Sequence, residues 1–401
     1  MARIPVSSRQ LRDVSTRLVL EHVWDADEVT GSALIEATGL SRATVHDVCD
    51  ELIARGWLVE LENVREGEKG RPARRYAFDA RAGVVIGVDA GQHRVSATVT
   101  DLRGDELSRT VLPVGPDDGT PERRLALIED AALAALADAS TPPGDVLAVA
   151  VGVPAPVDRD GRTAFRDNPF WDLMNPDVAA RLRDRHDWTT LTDNDANLAA
   201  VAEHWRGHGR DARCHVTLLA GERFGAGVVD DGRLLRGARG GVGEMRYLDL
   251  VEGVGSADGI AALVRDDARA QLRRLDGDAG SSLQDVPVAT LDATHVFAAA
   301  LDDDPLALTV VEHVAALVAR VVATFASIYD PERVIIAGAV AESCEPLLAI
   351  VREQLDRYVD PPGIEVLASG LGRDIVTVGA VKRALDHVRE HALEITPATL
   401  G

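Results

Sequence analysis

The 401-residue sequence predicts a small, mainly helical N-terminal domain closed by a β-hairpin over residues 1–82, followed by a larger α/β domain of two similar halves over residues 83–401. Three observations lead there. The chain is too long for one ordinary core, since single domains run to about 100–200 residues. Apolar residues recur at helical spacing before Gly56, whereas β-rich runs alternating with helical segments begin at Val84. The α/β alternation then starts a second time at Cys214.

In the first part, residues 9–23 place Leu11, Val14, Leu18 and His22 at helical spacing, the stripe of an amphipathic first helix. A second short helix follows from about Ser32. Gly39 stands where it would stop, Ser41 is the N-cap candidate of a third, and Val45, Val48, Leu52 and Ile53 form its apolar stripe. Two short helices joined by a tight glycine turn make a helix-turn-helix. After Gly56 the segment WLVELENVREGEKGRPARRYAF reads as two strands around a polar, glycine-rich tip, a wing on a winged helix-turn-helix.

From Val84, three β-rich runs, a helix at 121–139, a strand at 146–152 and helices at 176–186 and 194–205 build the first half. The second half opens with two strands meeting at a glycine-rich turn, continues as mainly helical sequence from Ser256 to Tyr329, and closes with RVIIAG, a helix from about Ala341, IEVLAS and a last helix after Thr377. A cleft between the halves is the simplest arrangement.

Composition narrows the function. Cys49, Cys214 and Cys344 lie far apart with no C-x-x-C spacing, which suggests neither a disulfide framework nor a local zinc knuckle and fits a reducing cytosol. No leader-like segment and no unbroken apolar stretch of membrane-spanning length stands out, so a soluble cytoplasmic protein with no membrane partner is expected. The net charge of −22 argues at first against nucleic acid. Its distribution reverses that. Residues 1–82 hold 12 Lys and Arg against 14 Asp and Glu, and Arg65, Lys69, Arg71, Arg74 and Arg75 outnumber Glu66 and Glu68 at the hairpin tip. An acidic body with one basic face favours a single docking orientation on a duplex.

In a helix-turn-helix the first residues of the second helix face the major groove, so Ser41, Arg42, Thr44 and His46 are the candidate contacts to bases and phosphates. Arg42 can bridge guanine O6 and N7. In the wing, Pro72 keeps the chain extended, Gly70 permits close approach and Arg71 suits a narrow, negative minor groove, with Arg74 beside them. Read alone, residues 30–55 fit an ordinary helical pair and the basic run a solvated loop; placed in this order they point to double-stranded DNA. Paired half-sites then call for a homodimer or homotetramer.

Several segments after Val84 resemble, in order, the ROK family of sugar kinases and sugar-responsive repressors. IGVDAGQHR resembles its first phosphate loop, PAPVDRDGRTAFRDNPFW its sugar-side loop, TDNDANLAAVAEHWRG its catalytic-base motif, and LLAGERFGAGVVDDGRLLRGARGGVGE its second phosphate loop running into a sugar-binding Gly-Glu. The GRPA wing matches the repressor branch. The resemblance implies an actin-like, hexokinase- and RNase H-like fold of two lobes with a sugar in the cleft, contacted by Asn168, Asn194, Asp195, Glu244 and Tyr247. Trp171 stands in the sugar-side loop, where it packs on a sugar face or plugs a core. In the family's kinases the residue matching Asp195 is the general base; Asp193, Asn194 and Asp195 also suit the cap of the helix that follows.

The sequence departs from the kinase pattern at both phosphate loops. Gln92, His93 and Arg94 follow Gly91 where small residues would let backbone N–H groups close on phosphate. Gly221-Glu222-Arg223 replaces Gly-Thr-Gly, setting a carboxylate beside the phosphates. After Glu244 the zinc-binding His is replaced by Tyr247, and LDLVEGVGSADG has no cysteine. Neither zinc nor ATP with magnesium is therefore expected, nor enzymatic turnover, and the zinc loop must be held otherwise. The leading reading is a regulator, a repressor by resemblance, whose operator affinity follows a sugar-like effector. The others are an ATP-dependent sugar kinase using Asp195, and an effector-independent DNA-binding protein with a degenerate dimerisation domain.

Overall fold

A hydroxyl or carboxylate at most helix starts, and glycine where the chain must reverse, punctuate the N-terminal third. The computed structural model describes residues 8–62, 74–163, 168–275, 280–359 and 363–397. Helix α1 (Ser8–Trp24) leads through a two-residue strand β1 (Val29–Thr30) to α2 (Gly31–Thr38) and α3 (Arg42–Ala54). Thr30 caps α2 by accepting from the Ala33 amide, and Gly39 ends it at φ 68°, a left-handed geometry that a side chain would strain. Ser41 then caps α3, accepting from the Thr44 amide. Strands β2 (Leu58–Leu61) and β3 (Arg75–Phe78) pair antiparallel, Leu58 opposite Phe78, and β1 joins the other edge of β3. The predicted tip residues Gly70 and Arg71 lie outside the described residues.

One face was expected wrongly. Leu11, Val14 and His22 of α1 are exposed and Leu18 is half-buried, whereas Thr16, Val19, Leu20 and Val23 face inward beside Trp24. The denser apolar run at the helix end decides the orientation, because Trp24 meets Phe78 at 4.3 Å and Trp57 at 5.8 Å between ring centroids. Burying large aromatic rings outweighs covering a leucine and a valine.

The larger domain begins with β4 (Val84–Ala90), β5 (Arg94–Thr100) and β6 (Glu106–Pro113), then α4 (Pro121–Asp138), β7 (Val146–Val153), α5 (Pro169–Met174), α6 (Val178–His186), β8 (Thr190–Asn194) and α7 (Asp195–Arg206). The second half holds β9 (Cys214–Ala220), β10 (Phe224–Asp230), β11 (Arg233–Leu234), α8 (Ile260–Arg274), α9 (Ala293–Leu301), α10 (Pro305–Tyr329), β12 (Arg333–Ala337), α11 (Glu345–Leu355), β13 (Glu365–Ala368) and α12 (Ile375–Glu390). Each half builds a five-stranded sheet, ordered β6-β5-β4-β7-β8 and β11-β10-β9-β12-β13. In both, the first three strands run antiparallel and the last two join in parallel. The sequence repetition is thus a structural duplication. All seven residues of β4 are buried, since helices cover both faces, which explains its unbroken apolar reading.

Helix α10 is the one helix among the described residues long and apolar enough to cross a membrane, a length the sequence reading passed over. Here Val310, Val314, Val318 and Val322 lie in the core of the second lobe, packed with α8, α9 and α11.

Two helices exchange lobes. α7 leaves the first sheet and packs on β10 of the second, while α12 leaves the second and packs on β4 and β7 of the first. They meet face to face. Gly379 lies so close to the Leu198 carbonyl that no Cβ fits between. The cluster around this pair, including Leu198, Ala202, Val376 and Leu385, is continuous with Trp24, Trp57 and Phe78 of the N-terminal unit. Arg389 of α12 pairs with Asp25 at 2.9 Å and lies over the Trp24 ring, Arg55 donates to the Leu393 carbonyl at 2.9 Å, and the Leu102 amide donates to Ala80 at 2.9 Å.

Gly379→Ala is expected to cost about 1–3 kcal/mol of stability by overpacking this contact. Gly370→Ala, whose added methyl meets open space, is expected within about 0.5 kcal/mol of the parent. Urea denaturation of both variants checks this, and equal midpoints would contradict the tight crossing.

Candidate functional site

The end of β8 and the start of α7 fix the central carboxylates. Asn194 caps α7: its Oδ1 accepts from the Asn197 amide at 3.0 Å and its Nδ2 donates to the Ala155 carbonyl at 3.1 Å. Much of its hydrogen-bonding capacity therefore serves the scaffold. Before it, buried Asp193 accepts two hydrogen bonds from Arg236, at 2.7 and 2.6 Å, which straps the first-lobe strand to the chain leaving β11. Asp195 follows, half-buried, with Oδ1 on the Ala196 amide at 2.8 Å. It faces a cleft of about 810 Å³.

The first-lobe wall of this cleft carries Asn168, Trp171, Asn194 and Asp195, and the second-lobe wall carries Arg223, Glu244 and Arg246. Asn168 caps α5, its Oδ1 accepting from the Phe170 amide at 3.1 Å and the Trp171 amide at 3.3 Å. Burial pushes the Asp195 carboxyl up to about 7, helped by the negative field of Asp89. Asp89, on β4, is raised to about 6 by burial, although Arg94 and Arg124 oppose the rise. Glu244 is likewise raised by burial and partly restored by Arg246 and Arg223. Asp195 and Asp89 therefore change charge near neutrality.

Neither loop is arranged as a bare backbone cradle. Behind the first, buried Arg124 of α4 donates to the carbonyls of Ala90 and Gly91, while Gln92 and His93 line the cleft. In the second, Glu222 was expected as an unpaired charge. Arg265 of α8, which also pairs with Asp266 at 2.8 Å, binds it at 2.6 Å, so that carboxylate has a cationic partner shared with a second acid.

The loop after Glu244 is held by Met245, Leu248 and Val254, buried in the second-lobe core, and by Arg320 donating to the Glu252 carbonyl at 2.9 Å. Among the described residues, no group of three or more His, Cys, Asp and Glu is placed to hold a metal ion. Tyr247 is a correction. It is exposed and lines a neighbouring hollow with Phe325 and Ile328, because the tight turn after Met245 sends Arg246 to the cleft in its place. The Tyr247 ring supports the Arg246 guanidinium at 4.4 Å, and its hydroxyl accepts from Arg246.

On the N-terminal unit, Ser41 and Thr44 are joined by their hydroxyls at 2.9 Å, and Arg42 is exposed on the first turn of α3. His46 and Arg74 do not stand as free contacts. His46 Nδ1 shares a hydrogen bond with the Tyr76 hydroxyl at 3.1 Å, fastening α3 to the sheet. Arg74 is held by Glu60 at 2.6 and 2.8 Å and by Asp50 at 2.7 Å, which cancels its charge at the hairpin base. Sequence reasoning also missed Asp89, Arg236 and Arg246. Asp89 sat inside the quoted IGVDAG motif, but nothing local marked the other two.

Residues 85–386 match the ROK family. A glucokinase of Halalkalibacterium halodurans is 27% identical over 323 residues, covering 73% of this chain and 92% of its own. The xylose repressor of Caldicellulosiruptor bescii is 24% identical over 358 residues, covering 86% of this chain and 88% of its own. The crystal structure of a ROK family transcriptional regulator, a homolog of the E. coli MLC protein, superposes with a TM-score of 0.73 at 21% identity, over 94% of this chain and 96% of that one. The duplicated two-lobed architecture is shared, and it is the actin-like fold expected of residues 83–401.

Arg236→Ala would leave buried Asp193 with only the more distant Arg383 guanidinium at 4.0 Å and the Asn194 amide, at a cost of about 3 kcal/mol. Thermal unfolding is expected to show that loss and the double change Asp193→Asn with Arg236→Met to recover part of it; an unchanged midpoint in the single variant would remove the strap from the account. Asp89 and Asp195, raised from their ordinary 3.8, bind protons more tightly folded than unfolded. Their contribution therefore favours folding at low pH and is lost as pH climbs from about 4 to about 7. Urea midpoints are expected to fall between about pH 4 and about pH 7, and Asp195→Asn to flatten that fall and gain stability at the upper end. Parallel pH profiles would contradict the assignment.

Proposed function

Because the chain belongs to the ROK family and carries an N-terminal unit joined by core packing to the crossing helices α7 and α12, we propose that it is a DNA-binding transcriptional regulator whose operator affinity responds to a sugar-like effector. The observation that carries this reading is the shared hydrophobic cluster. It gives cleft closure a mechanical route to a winged helix-turn-helix. The xylose repressor alignment covers more of the chain than the glucokinase alignment, in keeping with a unit that a kinase does not need.

In this reading α3 enters the major groove with Ser41, Arg42 and Thr44 leading, the wing carrying Gly70 and Arg71 follows the minor groove, and two copies read paired half-sites. The effector lies between the lobes against Asn168, Asp195 and Glu244. Its hydroxyls satisfy acceptors and donors that a ligand lacking them would leave unpaired, which is how such a cleft discriminates. Binding shifts the lobes only if the effector contacts one lobe arrangement better than the other.

Asp195 favours a second reading. A carboxyl raised to about 7 can take a proton from a sugar hydroxyl, as a sugar kinase requires. Against it stand Gln92, His93 and the Glu222–Arg265 pair in the phosphate loops. A coupled ADP-release assay with a panel of hexoses is expected to show no turnover; turnover abolished by Asp195→Asn would replace the regulator reading.

Duplexes selected by the full chain from a randomised pool provide the operator. Arg42→Ala is expected to weaken binding to them about tenfold to a hundredfold, from the loss of about 1–3 kcal/mol at one base contact. Fluorescence anisotropy at fixed salt measures it, and failure to enrich any duplex would reject DNA binding.

A further inference from the structure

The outward face of α3 carries the wrong charge for a surface that meets phosphates. Val45, Val48, Cys49 and Leu52 are buried, so the opposite side of the helix, at spacing i, i+4, i+7, is the row Ala43, Asp47 and Asp50, all exposed. Arg42 stands on the flank of that row. In a helix-turn-helix the outward face of the second helix is the one laid into the major groove. Acid sits there where affinity alone would favour base.

Two of the acids on α3 are matched within the protein. Asp50 pairs with Arg74 at 2.7 Å, and Glu51 pairs with Arg12 at 2.7 Å and with Arg55 at 2.8 Å. Asp47 differs. It makes no hydrogen bond or ion pair among the described residues, and Arg12, which feels its charge, is committed to Glu51.

A carboxylate pressed into a groove is costly unless a donor meets it, because phosphates on both walls repel it and the closing interface strips its water. The major-groove edge offers such a donor in the N4 amino group of cytosine. Guanine and thymine present acceptors there, and the N6 amino group of adenine is flanked by the acceptor N7. Ala43, one turn before Asp47, is small and lets the helix come close.

We propose that Asp47 is a specificity-determining residue of the operator contact, accepting from the N4 amino group of a cytosine and rejecting duplexes that lack one at that position. This deepens the DNA-binding reading and rests on it. Arg42 and Asp47 then act in opposite senses. The guanidinium draws the helix to DNA, while the carboxylate penalises every wrong sequence, so discrimination is gained at the expense of overall affinity.

Parallel selections from a randomised duplex pool, with the full-length parent and with Asp47→Ala, test this. The two base profiles are expected to differ at a position where the parent enriches cytosine and the variant accepts any base. By fluorescence anisotropy at fixed salt, exchanging that C·G pair for T·A is expected to weaken the parent about tenfold to a hundredfold and the variant less than about threefold. Asp47→Ala is also expected to bind an unrelated duplex more tightly than the parent does, since a charge that phosphates repel is gone. Identical profiles, a different base at the altered position, or a uniform loss of affinity on all duplexes overturns the assignment and leaves the regulator reading standing. A parent that enriches no duplex removes both.

Discussion

The crossing of α7 and α12 is the contact on which the rest of the structure depends. Each helix belongs by sequence to one lobe and packs on the sheet of the other, so the lobes are joined by an exchange of helices. Gly379 against the Leu198 backbone lets the helix axes approach closely, and small residues around it, Ala199, Ala202 and Ala380, keep the seam dense. A tightly packed crossing resists sliding and passes a rotation from one sheet to the other. The same cluster takes in Trp24, Trp57 and Phe78, so the N-terminal unit cannot be regarded as a bead on a linker. The path has charged anchors at both ends. Asp374, just before α12, meets Arg94 and Arg109 near the cleft, and Arg389 at the far end meets Asp25 and Trp24. A 16-residue helix joins these ends over about 24 Å.

The cleft is organised by where its carboxylates are allowed to find partners. Asp193 is buried, paired twice by Arg236 and structural. Asp195, two residues on, has only backbone donors and the opposing field of Asp89, so its proton is held to near neutrality. Two aspartates separated by one residue thus divide into a strap and a cleft-facing group because β8 ends between them. The sequence of three polar residues reads as one capping motif, and the backbone assigns the cap to Asn194 alone among them for the third amide of α7.

What could be read from the sequence follows the range of the physics. Local rules carried far: Gly39, Ser41 and the β4 run specify their own geometry, and the α7 and α12 boundaries fall within a few residues of those expected. Periodicity alone could not choose between the two faces of α1, because the Leu11–Val14–Leu18 stripe and the Val19–Leu20–Val23 run both suit a helix and only the position of Trp57 and Phe78 decides. Charge counting failed for Arg74, whose partners Asp50 and Glu60 come from another helix and strand. The Arg236 strap joins residues 43 apart across the lobes, beyond any local pattern. For Arg246 and Tyr247 the family resemblance pointed to Tyr247, and the turn after Met245 brings Arg246 to the cleft instead.

The phosphate loops show how a kinase-like cleft can keep its frame while its charges are retied. Arg124 secures the carbonyls behind the first loop, so its backbone shape survives without a phosphate in front of it. Arg265, shared with Asp266, secures Glu222 in the second. Beside that pair the second-lobe wall carries Arg223 and Arg246 together with Glu244, so charges of both signs face the cleft. The glycine backbone of the two loops is thus flanked by side chains already engaged with the scaffold, Arg124 in the first lobe and Arg265 in the second, so the frame of the cleft is set by contacts within the protein itself.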